Sequence, residues 1–337
     1  MGSETMRAAA IRGFGGPEVI EVLEVPKPTP GPGEVLVRVI AAGVNPPDWY
    51  MREGMPGLPR EMMGDIDFPL ILGTDVSGVV DALGPEVDGF DVGDEVFGML
   101  RFPTTMQAGG YAEYVAAPVS DIARKPAGVS HREAAAAGMS ALTAWQFLID
   151  VGHDLGSPFQ DAPHRPVPLD GDSRVLVNGA AGGVGHIAMQ LAAWKGAHVT
   201  AVASGGHEEF LRGLGTDAFI DYTTTDPAEA VRGLDLVMDT VGGSRSASFL
   251  PTIKDGGALF WAYLAEFSDE EKRRYDVTTS ATQVRANGAQ LAQIAELLDD
   301  GTIRIHVDSV YSLQEARQAH ERAAQGHIRG KLVLDVA

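Results

Sequence analysis

Arg174-Val-Leu-Val-Asn178, Gly179-Ala-Ala-Gly182-Gly183-Val184-Gly185, a run from His186 to Gly196, and then Ala197-His-Val-Thr-Ala-Val-Ala-Ser204 form the stretch on which the fold turns. Val175 to Val177 is a short apolar run, as in a strand buried on both faces. The glycines follow at once. Ile187, Met189, Leu191, Ala193 and Trp194 give the next segment the broad apolar face of a packed helix. Ala197 to Ala203 is apolar and partly β-branched again. The whole reads as strand, turn, helix, strand, the size of a βαβ unit. The glycines at 179, 182 and 185 have a chemical reason. A dinucleotide pyrophosphate rests against the N-terminus of a helix, where unpaired N–H groups and the helix dipole favour an anion. A Cβ in that turn would hold the phosphate off the backbone, and one glycine lets the helix lie close to its strand.

The end of the second strand bears on which dinucleotide is bound. NAD sites place Asp or Glu there to hold the ribose hydroxyls. Here the strand runs out as Val202-Ala203-Ser204-Gly205-Gly206-His207, with Glu208 and Glu209 only afterwards. Ser204 and His207 suit a 2′-phosphate, so the expected cofactor is NADP(H).

The 337 residues are 45% hydrophobic and 21% charged, which is enough chain for two cores and ordinary for a globular protein. There is no cysteine, which excludes disulfides, thiolate catalysis and any Cys-bound metal. The formal net charge of −20 argues against nonspecific nucleic-acid binding. No apolar run reaches the length of a membrane span, and Met1 to Met6 lacks a signal-peptide core, so a cytoplasmic location is expected.

Before the dinucleotide stretch come many short strands with regular turns. Met6 to Ile11, Val19 to Val25, Glu34 to Ile40, Pro69 to Val80, Phe90 to Phe97 and Gly109 to Val115 point to a compact β-barrel. Ser130, with Glu133 behind it, caps a helix running to Val151. Gly152 to Pro168, rich in proline, reads as a loop. Phe219 to Tyr222, Leu234 to Asp239 and Ala258 to Leu264 supply further strands of a parallel sheet. The last is long and apolar, and is expected at the sheet edge as a homodimer contact. Asp269 to Tyr275 is a charged helix or loop, and Gly288 to Leu298 an amphipathic helix. Val307 to Tyr311 and Lys331 to Val336 are strands around a helix at Leu313 to Gln325, too few for a third domain. They are expected to complete the first.

The motif order resembles the medium-chain dehydrogenase/reductase superfamily, nearest to its zinc-independent quinone oxidoreductases, the zeta-crystallin-like group. The resemblance rests on Gly16-Pro-Glu18, Pro30-Gly-Pro-Gly-Glu-Val35, Val44-Asn45-Pro-Pro-Asp48, Leu72-Gly73-Thr-Asp75, Val92-Gly-Asp-Glu-Val96, Gly110-Tyr-Ala-Glu-Tyr-Val115, Ala180-Ala-Gly-Gly-Val-Gly185 and Gly330-Lys331. It implies an α/β protein: a GroES-like β-barrel domain over 1–136 and 282–337, and a Rossmann doubly wound parallel-sheet domain over 137–281. The zinc branch of the superfamily needs a cysteine where this chain has Ala42 to Asn45 and a histidine where it has Thr74, so no metal is expected. Without a Lewis acid, acceptors that take hydride into a conjugated system are implied: quinones and α,β-unsaturated carbonyls.

By the same resemblance Asn45, Tyr50 and Thr143 are the catalytic candidates, while Asp48 reads as a helix cap rather than a proton donor. The cofactor set is Gly179, Ala181, Gly182, Gly183, Val184, Gly185, Ser204, His207, Tyr222, Val241, Ala262, Tyr263 and Lys331. Two features set the chain apart: Trp261 and Tyr263 near the expected nicotinamide, and the loop 152–168, a lid, an interface element or a tolerated insertion. The alternatives to a quinone or enone reductase acting on a small molecule are a pathway-specific enoyl reductase or cyclase, and a non-catalytic NADPH-binding protein of the crystallin kind.

Overall fold

The computed structural model describes residues 4–56, 66–102, 109–155 and 163–337. Two compact units emerge: Met1–Leu142 with Val284–Asp300 and Ile305–Ala337, and Thr143–Gln283 with Gly301–Arg304.

In the first unit β1 (Thr5–Ile11) pairs antiparallel with β2 (Ile20–Pro26). β3 (Glu34–Val44) outruns the expected strand by four residues and leads into the short helix α1 (Pro46–Arg52). β4 (Leu70–Ile71) joins β1; β5 (Asp75–Leu83), β6 (Glu95–Met99), β7 (Tyr114–Pro118) and β8 (Ile122–Arg124) follow. Helix α2 (His131–Leu148) starts at the reciprocal Ser130–Glu133 cap that its sequence announces. The division between the units falls inside α2, after Leu142 rather than after residue 136, because Met139 is still bonded to β5 through Asp75.

The second unit holds β9 (Arg174–Asn178), α3 (Gly185–Trp194), β10 (His198–Ala203), α4 (Glu208–Gly213), β11 (Ala218–Asp221) and α5 (Pro227–Ala230), then β12 (Leu234–Asp239), β13 (Ile253–Trp261), α6 (Asp269–Arg274) and β14 (Val277–Ser280). Its strands are parallel, in the order β11-β10-β9-β12-β13-β14. Arg304 belongs here because its N–H and C=O both meet the Gln190 amide on α3. One expectation is corrected. The strand at 258 starts earlier, at Ile253, and is not an edge: β12 and β14 bond to its two sides. With no free N–H or C=O row, it cannot zip to a second copy.

The chain then returns to the first unit with α7 (Gly288–Asp299), β15 (Val307–Ser312), α8 (Ala316–Ala324) and β16 (Lys331–Asp335). β16 lies between β15 and β3, giving the order β15-β16-β3-β5-β6-β8, with β7 also on β3. The core of this unit gathers Val37, Val39, Val76, Leu100, Leu332 and Leu334. Residues 109–113 do not belong to the strand expected there. They put the Tyr111 ring wholly inside the core, where its hydroxyl must find a partner.

Of the loop 152–168, residues 156–162 lie outside the described residues, and 163–168 carry no regular structure. His164 ties that segment down. Its Nε2–H donates to Phe147 O at 2.9 Å, its Nδ1 accepts from Ser280 Oγ at 2.6 Å, and its ring stands edge-on to Phe260. Burial holds its pKa below the usual histidine value, which keeps the ring neutral. No helix among the described residues is long and apolar enough to cross a membrane.

Candidate functional site

In the second unit the sequence order changes direction between β9 and β12, so a crevice opens at the carboxyl ends of those strands. The glycine turn lies there. Gly179 has φ +78°, which favours glycine, and a Cβ on it would stand 2.5 Å from Thr240 Oγ1 and 2.8 Å from Val241 Cγ2. A Cβ on Gly185 would stand 2.2 Å from Gly179 O, so this glycine closes α3 onto the turn. Gly182 differs. Its Cβ would meet only Gly179 O, at 3.3 Å, and otherwise open space. The backbone N–H groups of Gly183 and Val184 have no protein acceptor among the described residues. Unpaired donors at a helix start with room in front of them fit a pyrophosphate.

Other candidate residues gather along the same strand ends. Thr240 N donates to Asn178 O, Ala262 N to Asp239 O, and Gly243 N to Leu264 O, so the segments around Val241 and Tyr263 are knitted together after β12 and β13. Ser204 and His207 follow β10, and Tyr222 follows β11 with its N–H on Ala203 O. Val241, Tyr222 and Tyr263 are 56%, 46% and 46% exposed. Thr143 is buried in α2.

Sequence reasoning passed over three residues here. Asp239 is fully buried and takes four donors: Asn178 Nδ2, the N–H groups of Val241 and Gly242, and Ser246 Oγ. It fixes the β12 turn against the end of β9. His186 donates from Nδ1 to Gly182 O at 2.8 Å and so pins the glycine turn. Asp221, at the end of β11, accepts the Gly205 N–H, and bonds from Thr223 hold its carboxyl below the usual range. The strand-end loop therefore does have a carboxylate beside it, brought by the neighbouring strand. For Asp239 and Asp221 an acidic residue closing a strand is visible in the sequence, but its partners are not; nothing in the sequence marks His186.

The remaining candidates, Asn45, Tyr50 and Lys331, belong to the first unit. Tyr50 is half-buried on α1. Asn45 is 1% exposed and Lys331 5%. The Lys331 ammonium donates to Val44 O at 2.6 Å and to Asn45 Oδ1. Asn45 Nδ2 donates to Asp75 Oδ2 at 2.9 Å, and Met139 N donates to the same oxygen at 2.8 Å. Asp48 caps α1 by accepting the Asn45 N–H at 2.8 Å, and it accepts the Tyr111 hydroxyl at 2.9 Å. Beyond Tyr111 the His320 ring takes a bond from Arg52 on its Nδ1. Burial dominates the electrostatics. It pushes Asp48 up to about 7 and Asp75 up to about 6, and His320 down to about 3, so the imidazole beside Arg52 is neutral. The same burial lowers Lys331, opposed by Asp75 and Asp48.

The geometry has matches among known proteins. Residues 31–127 match the family model described as alcohol dehydrogenase GroES-like domain, and 214–334 the one described as zinc-binding dehydrogenase. No group of three or more His, Asp or Glu among the described residues could hold a metal, and Asp75 is already bonded to Asn45 and Met139. The chain is 32% identical to the mitochondrial NAD(P)H oxidoreductase RTN4IP1 of Danio rerio, over 90% of this chain and 84% of that protein. It is 30% identical to the chloroplastic quinone-oxidoreductase QR1 of Triphysaria versicolor, over 99% and 100%. The quinone oxidoreductase structure from Coxiella burnetii superposes with a TM-score of 0.85 at 30% identity, covering 99% of this chain and all of that one.

Proposed function

Since the chain belongs to the quinone oxidoreductase group of the medium-chain dehydrogenase/reductase family and is an NAD(P)H-dependent oxidoreductase, we propose that it reduces quinones or α,β-unsaturated carbonyls with NADPH, without zinc. The observation that carries the reading is the turn Gly179–Gly185, with unpaired N–H groups and open space at Gly182, in a chain with neither cysteine nor a metal-ligand cluster among its described residues. When bound, the reduced dinucleotide supplies a hydride. The protein's own part is to hold and orient. Gly183 and Val184 N–H groups face the pyrophosphate, and Asp239 and His186 keep the turn in shape. Ser204 and His207 take the 2′-phosphate, Tyr222 packs beside them, and Val241, Ala262 and Tyr263 line the nicotinamide end. Asn45 and Tyr50 meet the acceptor, whose oxygen gathers negative charge and takes its proton from solvent. With Lys331 buried on Asn45, its part is indirect. Thr143 completes the proposed set. A homodimer and a cytoplasmic location belong to the same proposal, with β14 as the sheet edge open to a second copy.

The test is steady-state oxidation of NADPH and NADH with a panel of quinones and enones, followed by loss of the reduced cofactor's absorbance, before and after dialysis against a strong chelator. Turnover with NADPH, unchanged by the chelator, is expected. Turnover lost on dialysis and restored by zinc overturns the metal-free reading; a stronger response to NADH overturns the cofactor choice.

A further inference from the structure

The Asn45 carboxamide lies between a cation and an anion. Its Oδ1 accepts from the Lys331 ammonium on β16, and its Nδ2 donates to the Asp75 carboxylate on β5. Both charges are at least nine-tenths buried, so water does little to screen them. A flipped amide would turn its NH2 toward the ammonium and its oxygen toward the carboxylate, replacing two attractions by two repulsions. Each charged group is itself held. Lys331 also donates to Val44 O, and Met139 N on α2 donates to the same Asp75 oxygen as Asn45. Glycine makes the approach of α2 to β3 and β5 possible: a Cβ on Gly138 would stand 2.6 Å from Asp75 Oδ1, and one on Gly43 2.4 Å from Ala135 O. An Asn amide has two N–H groups. One is committed to Asp75, which leaves the other to donate.

We infer that Lys331 and Asp75 are positioning residues: they lock the Asn45 amide in one orientation, so that its second N–H is aimed, before any substrate arrives, at the oxygen of the hydride acceptor. The inference rests on the reading that Asn45 meets that acceptor. A donor fixed in advance costs no reorganisation as charge develops, which is the condition under which such a bond lowers a barrier. Asp48 and Tyr111 are the other titratable groups near the amide. Asp48 takes the Asn45 backbone N–H and the Tyr111 hydroxyl, and in the capping box of α1 the Asn45 side chain faces the Asp48 N–H in return, so the cap favours the same amide orientation as the two charges.

The chain has only three asparagines, Asn45, Asn178 and Asn287, so asparagine-selective 15N labelling of the full-length protein resolves the amide directly. In the wild type the Asn45 side-chain pair, identified by its loss in Asn45→Ala, is expected as two well-separated, slowly exchanging proton signals. Lys331→Met should bring them together and speed their exchange, and Lys331→Arg should largely restore them. With NADPH and the best acceptor of the panel, Lys331→Met should lower kcat at least tenfold and change KM for NADPH less than twofold. Asn45→Ala should lower kcat as much, and the double variant no further. Should Lys331→Met not fold, Lys331→Gln keeps a donor for Val44 O without the charge and takes its place. Asn45 signals unchanged in Lys331→Met overturn the lock. Multiplying kcat losses in the double variant overturn action through Asn45, and wild-type kcat in Asn45→Ala overturns the donor role. A wild type that turns over no acceptor overturns the reductase reading instead, and the NMR comparison still decides the lock.

Discussion

Two glycines three residues apart in the same turn should fail in opposite ways. Gly185→Ala puts a methyl 2.2 Å from Gly179 O, more than an ångström short of the 3.4 Å at which ordinary contact begins. The obstacle is backbone, so the turn or α3 must move, at a cost of about 1–3 kcal/mol. Gly182→Val meets only Gly179 O, at 3.3 Å, and should fold almost normally. Its branched side chain occupies the space in front of the unpaired N–H groups. Losing one charge-assisted bond to phosphate costs about 1.5–3 kcal/mol, a rise of about 10- to 150-fold in the NADPH Kd at about 1.4 kcal/mol per tenfold. Fluorescence titration gives Kd for each variant, and a thermal melt of the cofactor-free protein gives the stability. Gly182→Val should lose affinity while keeping its Tm, and Gly185→Ala should lose Tm. A Gly182→Val protein that binds NADPH as the wild type does refutes the placement of the phosphate. One that melts as early as Gly185→Ala refutes the assignment of open space.

Two pH dependences of opposite sign follow from buried groups. Burial raises Asp48 from 3.8 to about 7 in the folded protein, so its neutral form contributes stability in full below about pH 4, and this is lost as pH rises through about 7. At about 1.36 kcal/mol per pKa unit the loss is roughly 4 kcal/mol. Asp48→Asn keeps an acceptor without the titration. Its stability relative to wild type, read by hydrogen exchange of peptides in β3 and β5, should rise between about pH 4 and 7 and level off above that; a constant difference counts against the buried carboxylate. For His164 the folded pKa is depressed by burial, so stability is present above the unfolded value near 6.5 and falls as pH drops toward the folded one. His164→Phe keeps the ring packing but orphans Phe147 O and Ser280 Oγ. It should lose about 1–3 kcal/mol at neutral pH and show a flatter acid limb; exchange of β14 with the wild-type slope would refute this.

What the sequence made legible is local. Strand, glycine turn and helix at 174–194 follow from residues in contact within a few positions, and so does the cap at Ser130 and Glu133. The cap role of Asp48 was legible for the same reason, since its partner is three residues away. Lys331 shows the limit. In sequence it is a lysine after a glycine, singled out by the family resemblance alone, and its physical distinction is a pair of bonds to residues 286 and 287 positions away. Nothing local separates it from a lysine in water. The stretch Ala258–Leu264 reads as an edge because its apolar run is plain, whereas β14, only four residues and three of them polar, is too short to announce that it covers the far side. His164 lies in a proline-rich stretch that reads as loop. It is loop, but it is anchored through residues on α2 and β14 that no spacing connects.

β16 reaches β3 across most of the chain, with Leu332 opposite Val44. On a ribosome, synthesis is vectorial, and residues 143–283, which hold the second unit's sheet, are released long before 331–335. Throughout that interval the nascent chain carries β3 with the Ala41–Val44 edge uncovered and with Asn45 lacking its cation. The nucleotide-binding sheet can form while β3 still lacks β16. β16, on emerging, then joins β15 to β3 and delivers Lys331 to Asn45 in the same step. The orientation of that amide is thus withheld until translation of β16 is complete, and a nascent chain stalled before Lys331 has the dinucleotide turn without the locked amide.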